Sequence, residues 1–178
     1  MANAVLVIDM LRCFLEEGHP LYVGDKARGI IPNIQRLLEQ ELARGSKVFF
    51  ICDHHDPDDL EFKMFPPHCI EGTPEAEVIP ELAKYPGEII PKKRYSGFFN
   101  TPLETKLKEL KPEKLIICGV LTNICVMYTV SSARNRDYEV EVPIDCVASP
   151  DEKAHEFALE QIEKVLGAKL TSIGGITR

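Results

Sequence analysis

Seven residues of the chain have the types and spacing for chemistry. Asp9 closes the apolar run Ala4-Val5-Leu6-Val7-Ile8, and a carboxylate there needs a cation or hydrogen-bond donors to offset its desolvation. Cys125 ends the segment Gly119-Val120-Leu121-Thr122-Asn123-Ile124-Cys125. With Thr122 as N-cap, its sulfur falls in a first helical turn, where the helix dipole favours the thiolate. Lys92-Lys93-Arg94 offers a cation that would lower the thiol pKa further, and charge alone does not choose among the three. Asp53, His55, Glu61 and His68 supply imidazoles and carboxylates, a donor set that suits Zn²⁺, Mn²⁺ or Fe²⁺. Asp53 and His55 are two apart at a strand end, so both side chains can point the same way. A thiol beside a cation and a carboxylate is the equipment of nucleophilic catalysis. Each residue also has a plain reading: a core cysteine, a capping aspartate, a surface lysine, solvated histidines. A shared strand-end placement weighs against those readings. His54 and Asp56 are adjacent decoys, and His19 and His155 read as surface histidines.

The elements that must position these residues are legible from periodicity. Ala4–Ile8, Val48–Cys52 and Leu115–Val120 are unbroken apolar runs, as expected of strands buried on both faces. Glu88–Ile90, Tyr138–Val142 and Lys169–Ile173 complete a set of six strands. Between them lie helical spacings: Ile30, Ile31, Ile34, Leu37 and Leu38, stopped by Gly45; Leu103, Leu107 and Leu110, opened by Thr101-Pro102-Leu103-Glu104; and Ala154, Ala158, Ile162 and Val165, capped at Ser149-Pro150-Asp151. Residues 53–75 read as one long loop, a length that usually signals function. The alternation predicts an α/β fold in three layers, α/β/α, with a doubly wound, mostly parallel sheet in the order 3-2-1-4-5-6. A single domain over 1–178 is expected. That order sets Asp9 and Cys125 on neighbouring strands, and ligands in such sheets bind at the carboxyl edge.

Composition excludes several classes. The 178 residues carry a formal net charge of -7 and no basic stripe, which argues against nucleic acid or an anionic membrane as partner. No apolar run nears the ~20 residues of a membrane span. The start of the sequence shows no signal-peptide pattern, so a cytoplasmic location is expected. No G-x-G-x-x-G follows a strand, which disfavours a dinucleotide site. The six cysteines include no C-x-x-C pair, and free thiols are expected throughout, with Cys52 and Cys118 in the core.

Three segments, in order along the chain, resemble the isochorismatase-like cysteine hydrolases. They are Val7-Ile8-Asp9-Met10, Lys92-Lys93-Arg94-Tyr95-Ser96-Gly97-Phe98 and Gly119 through Val126. The resemblance implies a catalytic Asp9, Lys92 and Cys125, with Lys92 selected by its place in the motif. It also implies an oxyanion hole from the N–H groups of Leu121 and Cys125, and a cis peptide at Val120-Leu121. Phe65-Pro66-Pro67-His68-Cys69, followed by Glu71-Gly72-Thr73, is similar to the metal loop of the nicotinamidase subgroup. On that match Asp53, His55, His68 and, as in some members, Glu61 would hold a divalent metal ion, most simply zinc, with iron or manganese as alternatives. Where that subgroup has D-x-H-P, this chain reads Asp53-His54-His55-Asp56, without the proline. Phe14, Phe65 and Tyr95 are the expected substrate contacts. The implied reaction is hydrolysis of nicotinamide to nicotinic acid and ammonia through a cysteine thioester, in NAD salvage. The alternatives are another small carboxamide, carbamoyl or ureido substrate, or a non-catalytic binding protein on this fold. Partners are then a small-molecule amide and, as in many relatives, further copies of the chain.

Overall fold

The structure, a computed structural model, describes residues 2–174. Its strands are β1 (Ala4–Ile8), β2 (Lys47–Asp53), β3 (Glu88–Lys92), β4 (Leu115–Val120), β5 (Val140–Pro143), β6 (Val147–Ala148) and β7 (Lys169–Thr171). All pair in parallel, in the order β3-β2-β1-β4-β5-β7, and β6 pairs with β4. The expected order therefore holds, with β7 in the place of the sixth strand. Every residue of β1 and β4 is buried, which is why both read as continuous apolar runs rather than alternations.

The helices are α1 (Arg12–Leu15), α2 (Ile31–Ala43), α3 (Pro80–Ala83), α4 (Leu103–Leu110), α5 (Met127–Arg134) and α6 (Glu152–Lys164). Successive strand residues face opposite sides, so the sheet separates two cores. Val5, Val7, Val48, Phe50, Ile116 and Cys118 pack with Ile34, Leu37 and Leu38 of α2. Leu6, Ile8, Phe49, Ile51 and Ile117 pack with Leu103 and Leu107 of α4, Val130 of α5 and Ile162 of α6. This is the three-layer arrangement anticipated from the pattern. Asp151 caps α6 by accepting the Ala154 N–H at 3.0 Å. At the head of α4 the cap falls on Pro102, and Thr101 accepts the Leu103 N–H at 3.4 Å.

Gly119 allows β1 and β4 to close on one another. A Cβ there would lie 2.1 Å from the Ile8 carbonyl oxygen, and the residue has φ of +117°. Only glycine meets both demands without strain.

Free thiols are found at Cys52, Cys118, Cys125 and Cys146. The expectation fails for the other pair: Cys13 and Cys69 form a disulfide, with Cα atoms 5.9 Å apart. The reason is tertiary. Helix α1, too short for a periodic signature, is held beneath the long loop by Arg12 N–H to Glu77 O and Ile79 N–H to Met10 O, each 3.0 Å. That brings together cysteines separated by 56 positions, a spacing that encodes no partner. Among the described residues, no helix is long and apolar enough to cross a membrane.

Candidate active site

Strand pairing alone delivers most of the site. Ile8 registers with Gly119, and Asp53 with Lys92, so the ends of β1, β2, β3 and β4 meet at one edge. Asp9 leaves β1 in the left-handed region, φ 50°, a conformation aspartate tolerates better than most residues. Its N–H donates to Ile51 O at 2.8 Å, and its Oδ1 accepts the Asp53 N–H at 3.0 Å. Lys92 is buried to its tip. Its Nζ lies 3.0 Å from Asp9 Oδ2 and 3.4 Å from Cys125 Sγ, and donates to Arg94 O at 2.9 Å and to Asp53 Oδ1. Of the three neighbouring cations, only Lys92 turns inward. Lys93 pairs with Asp56 at the surface, and Arg94 with Asp59.

Cys125 lies in a π-helical turn, Thr122–Val126, that precedes α5. Thr122 is not its cap: the N-cap is Leu121, without a side-chain hydrogen bond. The Thr122 hydroxyl instead meets His155 Nδ1 at 2.8 Å, so His155 is a packing partner rather than a surface histidine. The Val120-Leu121 peptide is cis.

Charge in this cluster is strongly interdependent. Burial is the largest influence on the Cys125 thiol and pushes it up. Lys92 pulls it down, and Asp9 and Asp53 push it up again. The expected depressed thiol is therefore not what the arrangement gives, because burial outweighs Lys92 and the two carboxylates push the same way as burial. Lys92 is held above its usual range: burial opposes the charge, but Asp53, Asp9 and Cys125 outweigh it. Burial and the neighbouring Asp53 carry Asp9 up to about 6. The arrangement sets the Cys125 thiol beside a carboxylate that can receive its proton.

A second cluster adjoins the first. Asp53 Oδ2, His55 Nε2, Glu61 Oε2 and His68 Nε2 converge, with His55 Nε2 at 3.4 Å from both carboxylate oxygens and His68 Nε2 at 3.5 Å from Glu61 and 3.9 Å from Asp53. The ligand atoms of Asp53, His55 and His68 all lie within 4.8 Å of one another. A tetrahedral ion bound at about 2.1 Å requires ligand atoms about 3.4 Å apart. His55 Nε2 is buried and has no hydrogen-bond partner among the described residues, as a bare ligand nitrogen should be. The carboxylates of Asp53, Asp59 and Glu61 overcome burial and raise His55 to about 9, a field that favours a cation at this point. The residues present fit a divalent metal.

Both clusters open onto one cavity of about 220 Å³, lined by Asp9, Asp53, Glu61, His68, Leu121 and Cys125 on its reactive side. That is below the ~300–1,000 Å³ of drug-sized pockets. Phe14, Phe65 and Tyr95, the expected substrate contacts, also line it, and Tyr95 is stacked on Tyr128, ring centroids 5.7 Å apart. Pro20-Leu21-Tyr22-Val23 forms a further wall that the sequence did not reveal, since nothing in its spacing points inward. Asp59 was not foreseen as part of the site, and Arg94, weighed only as a cation for the thiol, binds Asp59 instead. The signal available for Asp59 was only its distance of four positions from His55.

The isochorismatase domain model matches residues 3–173. A nicotinamidase/pyrazinamidase of Bacillus subtilis has 33% sequence identity and a TM-score of 0.89, over 97% of this chain and 100% of that one. A pyrazinamidase of Pyrococcus horikoshii in complex with zinc has 30% identity and a TM-score of 0.88, over 97% and 99%. A ureidoacrylate amidohydrolase of Methylorubrum extorquens strain AM1 is 28% identical over 193 aligned positions, 93% of this chain and 78% of the relative. The match spans every element that builds the two clusters, and the chain belongs to the isochorismatase family.

Proposed function

We propose that the chain is a cysteine-dependent amide hydrolase that converts nicotinamide to nicotinic acid and ammonia, a step of NAD salvage. The observation that supports this reading is the cavity that Cys125 shares with Asp53, Glu61 and His68, three of the four residues of the second cluster. In the reaction Cys125 Sγ bonds to the carboxamide carbon as its proton passes to Asp9. The backbone N–H groups of Leu121 and Cys125 hold the developing oxyanion. Lys92 stabilises the sulfur as it becomes anionic. Asp9 then gives the proton to the leaving nitrogen, the C–N bond breaks, and ammonia departs from a thioester. Water attacks the thioester, Asp9 takes its proton and returns it to the sulfur, and the C–S bond breaks to release the acid. A divalent ion held by Asp53, His55, Glu61 and His68 supplies, when bound, an acceptor for the lone pair of a ring nitrogen. Phe14, Phe65 and Tyr95 flank the ring and limit its motion, which lowers the entropy cost of attack.

A ureido or carbamoyl acid is the competing substrate class, and the wall chemistry disfavours it. Among the described residues the cavity lining includes no arginine or lysine, and the nearby Lys92 is already engaged by Asp9 and Asp53. A substrate carboxylate would be desolvated without a partner, whereas a neutral ring amide has no such cost. The test is ammonia release from nicotinamide, pyrazinamide and a ureido acid, with and without chelator. Nicotinamide turnover that is lost in Cys125→Ala, with the circular dichroism spectrum kept, is the expected result. Preference for the ureido acid, or full activity in Cys125→Ala, overturns the reading.

A further inference from the structure

Asp59 does not line the cavity, yet it touches two members of the second cluster, His55 and Glu61. Its carboxylate is buried, with 2% side-chain exposure. Asp59 Oδ2 lies 2.9 Å from His55 Nδ1. Asp59 Oδ1 accepts the Glu61 N–H at 2.8 Å, as N-cap of the 3₁₀ turn Leu60–Lys63. Arg94 Nη1 donates to both oxygens, at 3.0 and 3.1 Å. A buried carboxylate with three such partners has every reason to stay ionised and still.

The consequence for His55 is chemical. An ionised carboxylate only accepts hydrogen bonds, so the nitrogen facing it must carry the proton. With Nδ1 holding its proton against Asp59, the proton a bound cation displaces is the one on Nε2, the atom that points at Asp53 and Glu61. The same carboxylate fixes the turn that presents Glu61. Arg94 ties that turn to the end of β3, two residues beyond Lys92, whose Nζ in turn binds the Arg94 carbonyl. One side chain thus governs two members of the metal cluster and links them to the strand end that carries the ammonium.

We propose that Asp59 is the positioning residue of the metal cluster, setting the ring tautomer of His55 and the placement of Glu61, with Arg94 as its anchor. This rests on the metal site of the proposed function. Asp59→Asn is the sharp test, because the substitution keeps size and shape but offers one acceptor and one donor in place of two acceptors. If its oxygen keeps the Glu61 N–H, its amide faces Nδ1. That arrangement favours the tautomer with the proton on Nε2, which closes the ligand position.

The experiment is a titration of the metal-free protein with Zn²⁺ against a chromophoric chelator. It is run for the wild type, Asp59→Asn and Arg94→Gln, with thermal melts of each metal-free form. Loss of such an outer partner lowers metal affinity by about 10–100-fold, and that is the expected result for Asp59→Asn, with secondary structure retained. Arg94→Gln is expected to lose less, because the acceptor remains. Wild-type zinc affinity in a folded Asp59→Asn overturns the proposal and leaves the metal site standing. Should Asp59→Asn fail to fold, unchanged affinity in Arg94→Gln overturns it. No zinc binding by the wild type removes the metal site and the inference with it.

Discussion

Lys92 has almost no contact with water, and its charge is held in place by Asp9 and Asp53 on one side and by the Cys125 sulfur on the other. Removing one partner from a buried charge cluster is more damaging than never having built it, because the remaining ions stay desolvated and repel each other. Lys92→Met is therefore expected to cost about 3–5 kcal/mol of stability and to lower amide turnover at least about 10²-fold. Urea unfolding and an ammonia assay read the two effects separately. A variant as stable as the wild type would mean that Asp9 and Asp53 are not both ionised around that lysine. The residue types of this cluster were readable in the sequence, since Asp9, Asp53 and Lys92 fall at strand ends and Cys125 in the turn after β4. Which of Lys92, Lys93 and Arg94 faces inward was not, because charge carries no direction; the family motif supplied it. The direction in which the Cys125 thiol is pushed was not readable either, because burial, its largest cause, is a tertiary property.

Helix α1 and the loop after β2 meet through a covalent bond that no local pattern announced. The disulfide joins Cys13, next to Phe14, to Cys69, next to His68, so it fastens two walls of the cavity to each other. Closing so long a segment restrains the unfolded chain, and native bridges of this kind contribute about 2–4 kcal/mol. For a chain of this size that corresponds to roughly 5–15 °C in melting temperature. Cys13→Ala is expected to melt lower by that amount, and a dithiol reductant should lower the wild type equally while leaving Cys13→Ala unmoved. A wild-type melt indifferent to reductant would show that the bridge contributes nothing. Short elements are where the sequence was silent. The strands β1 and β4 announce themselves by uninterrupted burial and β2 by burial from Val48 onward, whereas α1 with four residues and β6 with two are too short for a period to repeat. The Pro20–Val23 wall is irregular backbone, and its inward face is set by what it packs against.

Across the molecule, the fold and the proposed metal should report on each other. The four proposed ligand residues lie between positions 53 and 68, but His55 and His68 come into range only when the loop returns to β2, where His55 bridges to Ile70 and its N–H donates to Cys69 O at 2.9 Å. An unfolded chain presents the same side chains without that geometry, so zinc should bind the native state preferentially. A ligand of the native state alone, at one hundred times its dissociation constant, adds about 2.7 kcal/mol, or roughly 5–10 °C for a chain of this size. The metal-free protein is thus expected to melt higher as Zn²⁺ is added, and to return to its starting value with excess chelator. His68→Ala should start near the metal-free wild type and respond much less, since one of the converging nitrogens is gone. The sign carries the argument. Stabilisation that is equal in His68→Ala would place the ion elsewhere, and a fall in melting temperature would mean that zinc prefers the unfolded thiols and imidazoles to the strand-end cluster.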